Sequence, residues 1–213
     1  MCYSWLQNMP TPMKFIAGHP ALDFVNTVGG WSAERPLEDK LETISDLIRW
    51  AELARLLSAT DAVTSARLAR HHARQAGKVL GRARALRRVL HRIFLCVLEN
   101  RKPRPADVQF LQDELRIARQ HQRLAATRGG FLWTWDERPV LDTILWRISQ
   151  SAADLLTSHD LGRLRRCAGE NCGWLFLDTT RNHSRHWCDM QDCGNLAKVR
   201  RFRARQAQVH PPR

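Results

Sequence analysis

The sequence predicts a mainly α-helical protein: a helical N-terminal domain containing one small β-hairpin, followed by a C-terminal module organised by cysteines. Three observations carry this. Apolar residues recur at three- and four-residue spacing in four separate stretches. The period changes once, around Gly129-Gly130. Four of the six cysteines fall within 27 residues, in the pattern Cys-x4-Cys-x15-Cys-x4-Cys.

Residues 1–13, with Pro10 and Pro12, read as a loose, mobile leader that holds the isolated Cys2. Pro20-Ala-Leu-Asp-Phe-Val-Asn-Thr-Val28 predicts a short helix with proline in its first turn, stopped by Gly29-Gly30. Ile44, Leu47, Ile48, Ala51 and Ala54 mark a second helix. Thr60 or Asp61 would cap a third, very basic one reaching to about Gly77. Leu86, Leu90, Ile93, Phe94 and Val97 trace a fourth, ending near Asn100, with Cys96 expected in the core. Val108, Leu111, Leu115 and Ala118 give a fifth. Arg123-Leu-Ala-Ala-Thr and Phe131-Leu-Trp-Thr-Trp flank the glycines as a hairpin. Pro139 opens a last helix with Leu141, Ile144, Leu145, Ile148, Ala152 and Leu155 on one face. Trp31, Trp50, Trp133, Trp135 and Trp146 are expected in the core or an interface. The expected boundaries are 14–160 for the helical domain, 161–207 for the cysteine module and 208–213 for a tail.

The module, Cys167, Cys172, Cys188 and Cys193, offers two close pairs of thiols. Thiolates are the preferred ligands of structural zinc, and four of them close a tetrahedron that leaves no position for substrate. His183 and His186 are alternative ligands that four thiolates make unnecessary. Trp174-Leu-Phe-Leu-Asp178 and Arg185-His-Trp-Cys188 read as two short strands around the polar turn 179–184, with Asp178 ordering the turn and Trp174 and Trp187 packing beside the metal. So small a unit has too little core to fold alone, and one structural Zn2+ per chain would supply the difference.

The chain has 34 Lys+Arg against 21 Asp+Glu, a net charge of +13. A field of that size attracts polyanions. Residues 161–213 hold 11 basic and 4 acidic side chains, net +7, whereas residues 1–160 hold 23 and 17. After Cys193, Leu196 to Arg205 forms a basic helix. Leu196, Val199 and Phe202 share one side and should dock on the metal site or the helical domain, with Lys198, Arg201 and Arg205 projecting opposite. Arg181, Arg185 and Arg200 would add to this surface, which suits duplex DNA. The alternatives are a protein-interaction module meeting an acidic partner, or an RNA-binding one.

Cys172-Gly-Trp-Leu-Phe-Leu-Asp-Thr-Thr-Arg-Asn-His-Ser-Arg-His-Trp-Cys188 followed by Cys193-Gly-Asn195 closely resembles the CGNR zinc-finger family of bacterial proteins, and His19-Pro-Ala-Leu-Asp-Phe-Val-Asn-Thr27 resembles the opening of the ABATE domain that precedes this finger. The resemblance covers nearly the whole chain. It implies a stress-induced transcription regulator that binds DNA through the finger, with Cys167, Cys172, Cys188 and Cys193 on the metal. One departure is that Leu196 stands where the family motif ends in arginine.

In the helical domain Asp23, Asn26 and Thr27 lie at i, i+3 and i+4 with His19 one turn earlier. They fit either a small-ligand pocket, hence a small-molecule effector, or a capping cluster that fixes the N-terminal segment. The domain is also a candidate for holding a homodimer together. No phosphate-binding glycine loop, nucleophile elbow or His-Glu metalloprotease motif is present, so a non-enzyme is expected. No apolar run approaches the roughly 18 residues that span a bilayer, and Met1 to Pro12 lacks the pattern of an export signal. A cytoplasmic protein without membrane contact is expected.

Overall fold

The computed structural model describes residues 13–31, 38–136 and 140–209. The expected leader with Cys2, Pro10 and Pro12 lies outside these residues, apart from Met13, which packs against the core. Pro139 and the end of the tail also lie outside them.

Helix starts follow local side-chain chemistry. Pro20 occupies the first turn of α1 (Pro20–Val25), where its missing N–H costs nothing, and His19 Nδ1 accepts the Ala21 N–H at 3.3 Å. Thr43 and Asp46 form a capping box at α2 (Ile44–Leu53), as do Ser58 and Asp61 at α3 (Ala59–His71). The cap of α3 is therefore Ser58, not Thr60 or Asp61: its hydroxyl accepts the Asp61 N–H while Asp61 returns the bond. The helix breaks at His72 (φ −127°, ψ 56°), earlier than Gly77, and α4 (Ala73–Leu98) begins at once. Then come α5 (Pro105–Gln120) and α6 (Thr143–Leu156). Helix α1 stops short of Val28 because Val28–Gly29 (β1) pairs antiparallel with Glu38–Asp39 (β2). Among the described residues no helix is long and apolar enough to cross a membrane.

The apolar faces meet in one core, with Trp50, Phe24, Phe94, Leu86, Leu90, Ile144 and Leu145 fully enclosed. Ion pairs fasten the long α4 to its neighbours. Buried Arg87 donates to both Asp39 oxygens and to Thr27 Oγ1. Arg82 grips Glu114 and Asp142, and Arg92 grips Asp107. Cys96 is only half-buried, at the edge of this core.

The predicted hairpin forms from β3 (Gln122–Thr127) and β4 (Gly130–Trp135), with Leu124 opposite Trp133 and Ala126 opposite Phe131. Its base is held by Trp135 against Trp146 and by His121 stacked on Trp146 at 3.9 Å. Its outer half projects: Trp133, expected in the core or an interface, is 65% exposed and so is not in the core.

The cysteine module docks into the same core. Its hairpin pairs Leu164–Arg166 (β5) with Leu175–Leu177 (β6), not 174–178 with 185–188 as the sequence suggested. The reason is burial. Leu164, Leu175, Phe176 and Leu177 fill the space between α1 and α4, whereas Arg185 to Trp187 line the rim. The last helix, α7 (Asn195–Val209), follows the π-helical turn Met190–Gly194. Leu196, Val199 and Phe202 are 58%, 46% and 60% exposed, so the expected docking of that face does not occur. The module's core is already filled by β5, β6 and Trp174, and α7 leaves it at Cys193.

Candidate metal centre

Cys167 follows β5, where its N–H donates to the Trp174 carbonyl and extends the β5–β6 pairing by one residue. A turn through Gly169 returns Cys172, and Gly173 takes a left-handed φ of 68° so that Trp174 can re-enter the core. Trp174 Nε1 donates to the Val28 carbonyl at 2.7 Å. Cys188 lies at the far side of a loop that Asp178 organises. This enclosed carboxylate accepts the Thr180 hydroxyl, the Thr180 N–H and the Arg185 N–H, which hold it below the usual carboxylate range. Cys193 sits in the π-helical turn, whose capping residue, Asp189, accepts the Gln191 N–H and is bridged by Lys14 to Asp192.

These segments bring four sulfurs to within 4.8 Å of one another. Cys172 and Cys188 Sγ are 3.5 Å apart, and Cys188 and Cys193 Sγ 3.6 Å. Four thiolates about 2.3 Å from one zinc ion stand about 3.8 Å apart, so the cluster is already near a tetrahedral cage. Backbone N–H groups of Gly169 and Cys188 point at Cys167 Sγ, at 3.4 and 3.3 Å. Contacts from Cys172 and then Cys188 depress the Cys167 thiol to about 2. Against that first thiolate, Cys172 is pushed up to about 12 and Cys188 upward as well, while burial raises Cys193. Four thiolates cannot coexist here without a cation to share, and a divalent one resolves the conflict. Gly169 completes the cage: a Cβ there would meet Cys172 Cβ at 3.0 Å and Cys193 Sγ at 3.1 Å. The four cysteines fit one structural zinc ion. His183 and His186 are exposed and outside the cluster.

Two family models match the chain. Residues 18–159 match ABATE, described as "Putative stress-induced transcription regulator", and residues 163–206 match the CGNR zinc finger. The chain belongs to the ABATE family. A search of curated proteins returned no match. In this ABATE protein the segment that follows the last zinc ligand, Cys193-Gly194-Asn195, is continued by an exposed Leu196.

The six basic residues expected on nucleic acid separate into two groups. Arg181, Lys198, Arg201 and Arg205 are exposed and make no hydrogen bond or ion pair among the described residues. Arg200 is paired with Glu170. Arg185 is half-buried: it lies over the Phe176 ring at 4.3 Å and donates to the carbonyls of Ile16, Trp187 and Cys188. It braces the loop that carries Cys188.

The expected ligand residues form a clamp instead of a pocket. Asn26 Nδ2 donates to the Leu175 carbonyl at 2.8 Å while its Oδ1 accepts the Leu175 N–H at 3.0 Å. Asp23 Oδ1 accepts the Ala17 N–H, Thr27 Oγ1 donates to the Phe24 carbonyl, and His19 caps α1. The three cavities described, of about 970, 730 and 700 Å³, are lined by other residues. Backbone groups, and Arg87 at Thr27, engage at least one polar atom of each of these four side chains. The sequence did not reveal Gly169, whose role depends on sulfurs from both cysteine pairs, or Lys14, whose acidic partners lie at the other end of the chain.

Proposed function

We propose that this ABATE protein is a zinc-dependent DNA-binding transcription regulator, with α7 as the element that enters the duplex. The observation that carries this is the set of five cations on the finger that are exposed and unpartnered among the described residues, Arg181, Lys198, Arg201, Arg203 and Arg205. Three of them share one side of α7, which runs for 15 residues, or about 22 Å. A helix of that size fits the major groove, where cations meet phosphates or guanine edges and apolar side chains meet thymine methyls. Leu196, Val199 and Phe202, left free along the same helix, suit the latter contact.

Each phosphate neutralised releases counterions, so four contacts give a slope of about −3.6 in log affinity against log salt. Titration of the zinc-loaded protein on specific and scrambled duplexes tests this. Arg201→Ala should reduce the slope by about 0.9 if it meets phosphate, or relax sequence preference if it reads a base. The exposed apolar side of α7 also favours a second reading, a protein-interaction module. Absence of duplex binding at low salt would leave that reading in place of the first.

A further inference from the structure

Between Ala62 and Leu98 the sequence holds eight Arg, one Lys and three His, and no Asp or Glu. This stretch, α4 and all but the first turn of α3, carries +9 in 37 residues, denser than the +7 in 53 residues of the cysteine module. The structure sorts these cations. Arg82, Arg87 and Arg92 are held by Glu114, Asp142, Asp39 and Asp107, and Arg84 donates to the carbonyls of Leu41 and Glu42. Arg67, Arg70, Arg74, Lys78 and Arg88 remain exposed, with no hydrogen bond or ion pair among the described residues.

Three of the free cations form a stripe. At 100° per residue Arg74, Lys78 and Arg88 fall within an arc of about 80° on α4, over a length of about 21 Å. Gly81 and Ala85 lie between them, and a Cβ at Gly77 or Gly81 would meet nothing within 4 Å, so packing does not demand either glycine. The outer face is therefore low enough for another molecule's backbone to approach. The charge arrangement is unfavourable by itself: Arg74 and Lys78 are like charges at i, i+4, and the first turn of α4 carries a cation and no acid. Among the described residues no group pairs with these cations to offset this. An external polyanion would.

We infer that the α4 stripe, with the exposed Arg67 and Arg70 of the preceding α3, is a second phosphate-contacting surface, which takes the backbone of the same duplex that the finger reads. This rests on the DNA-binding reading of the finger. The contacts carry no sequence information and add affinity, steep salt dependence and register.

The test uses the full-length zinc-loaded protein on a duplex of about 30 base pairs, three turns of B-form helix. Arg74→Ala/Lys78→Ala/Arg88→Ala should lower the salt slope by about 2.7, or 0.9 for each lost contact, equally on specific and scrambled sequence. Arg74→Lys/Arg88→Lys should keep the slope. An unchanged slope in the triple variant, with Arg201→Ala still lowering it, overturns the inference and leaves the finger reading intact. A lowered slope in the triple variant, with neither slope nor sequence preference altered in Arg201→Ala, supports the stripe and sinks the finger. No duplex binding at low salt overturns both.

Discussion

Replacing Asn26 by Ala should unfasten the finger from the helical domain. The side chain is 2% exposed and makes two reciprocal bonds with Leu175, itself fully enclosed. Truncation leaves a buried N–H and a buried carbonyl unpaired, at about 1–3 kcal/mol each, for a total of about 2–6 kcal/mol. A domain of this size is stable by about 5–15 kcal/mol, so the loss is a large fraction of the whole. Asn26→Asp keeps the acceptor for the Leu175 N–H but sets a carboxylate oxygen against the Leu175 carbonyl, and should be no better than Ala. Urea unfolding gives the stability change from the shift in midpoint. Because β6 follows directly from Cys172 and Trp174, zinc affinity measured against a chromophoric chelator should fall at least tenfold, which is about 1.4 kcal/mol of the loss. A change below about 0.5 kcal/mol, within the range of ordinary surface substitutions, with zinc affinity unaltered, would refute the clamp.

Burial raises the Asp23 carboxyl to about 6 from an ordinary 3.8, so its charged form is less stable in the folded protein and stability is lost as pH rises through that window. Asp23→Asn keeps an oxygen for the Ala17 N–H; it should stabilise by about 3 kcal/mol at pH 7.5 and about 1 kcal/mol at pH 4.5, and an equal gain at both would contradict the assignment. His91, lowered to about 4 by burial against Trp31, acts in the opposite sense, and its contribution is lost as pH falls below 6.5. Gly169→Ala should crowd Cys172 and Cys193 and weaken zinc binding by roughly tenfold, about 1.4 kcal/mol, while leaving the helical domain folded; undiminished affinity would mean the cage is looser than its distances imply. Arg185→Ala should destabilise the finger, where Arg205→Ala should not, because three carbonyls lose a donor in the first case only.

The sequence displays the metal site plainly because ligation is local: two pairs of thiols at short spacing leave few other uses for them. Helices α2, α4, α5 and α6 are legible for a related reason, since an apolar face at helical spacing has one place to go. The β5–β6 pairing was hidden because Leu164-Arg-Arg166 looks like part of a basic run, and its role emerges only once α1 and α4 supply the other walls of the core. Arg185 and Arg201 are alike in sequence. What separates them is the carbonyl of Ile16, brought from far along the chain, which engages one and not the other. The basic stripe of α4 is hidden in the bulk charge because the 17 acids of residues 1–160 mask a stretch that contains none of them. The polar quartet at His19, Asp23, Asn26 and Thr27 was visible as a cluster, but its partner strand was not.

In the proposed function a zinc-organised finger presents α7 to duplex DNA. This is tested most directly by titrating one duplex with the zinc-loaded protein and with the same protein stripped by a chelator, across a range of salt. Binding should be salt-dependent with metal, lose its specificity and show a shallower slope without it, and recover both when zinc is restored. Equal binding by the stripped protein would contradict this function, because four unshared thiols cannot hold Cys193 and the start of α7 in place.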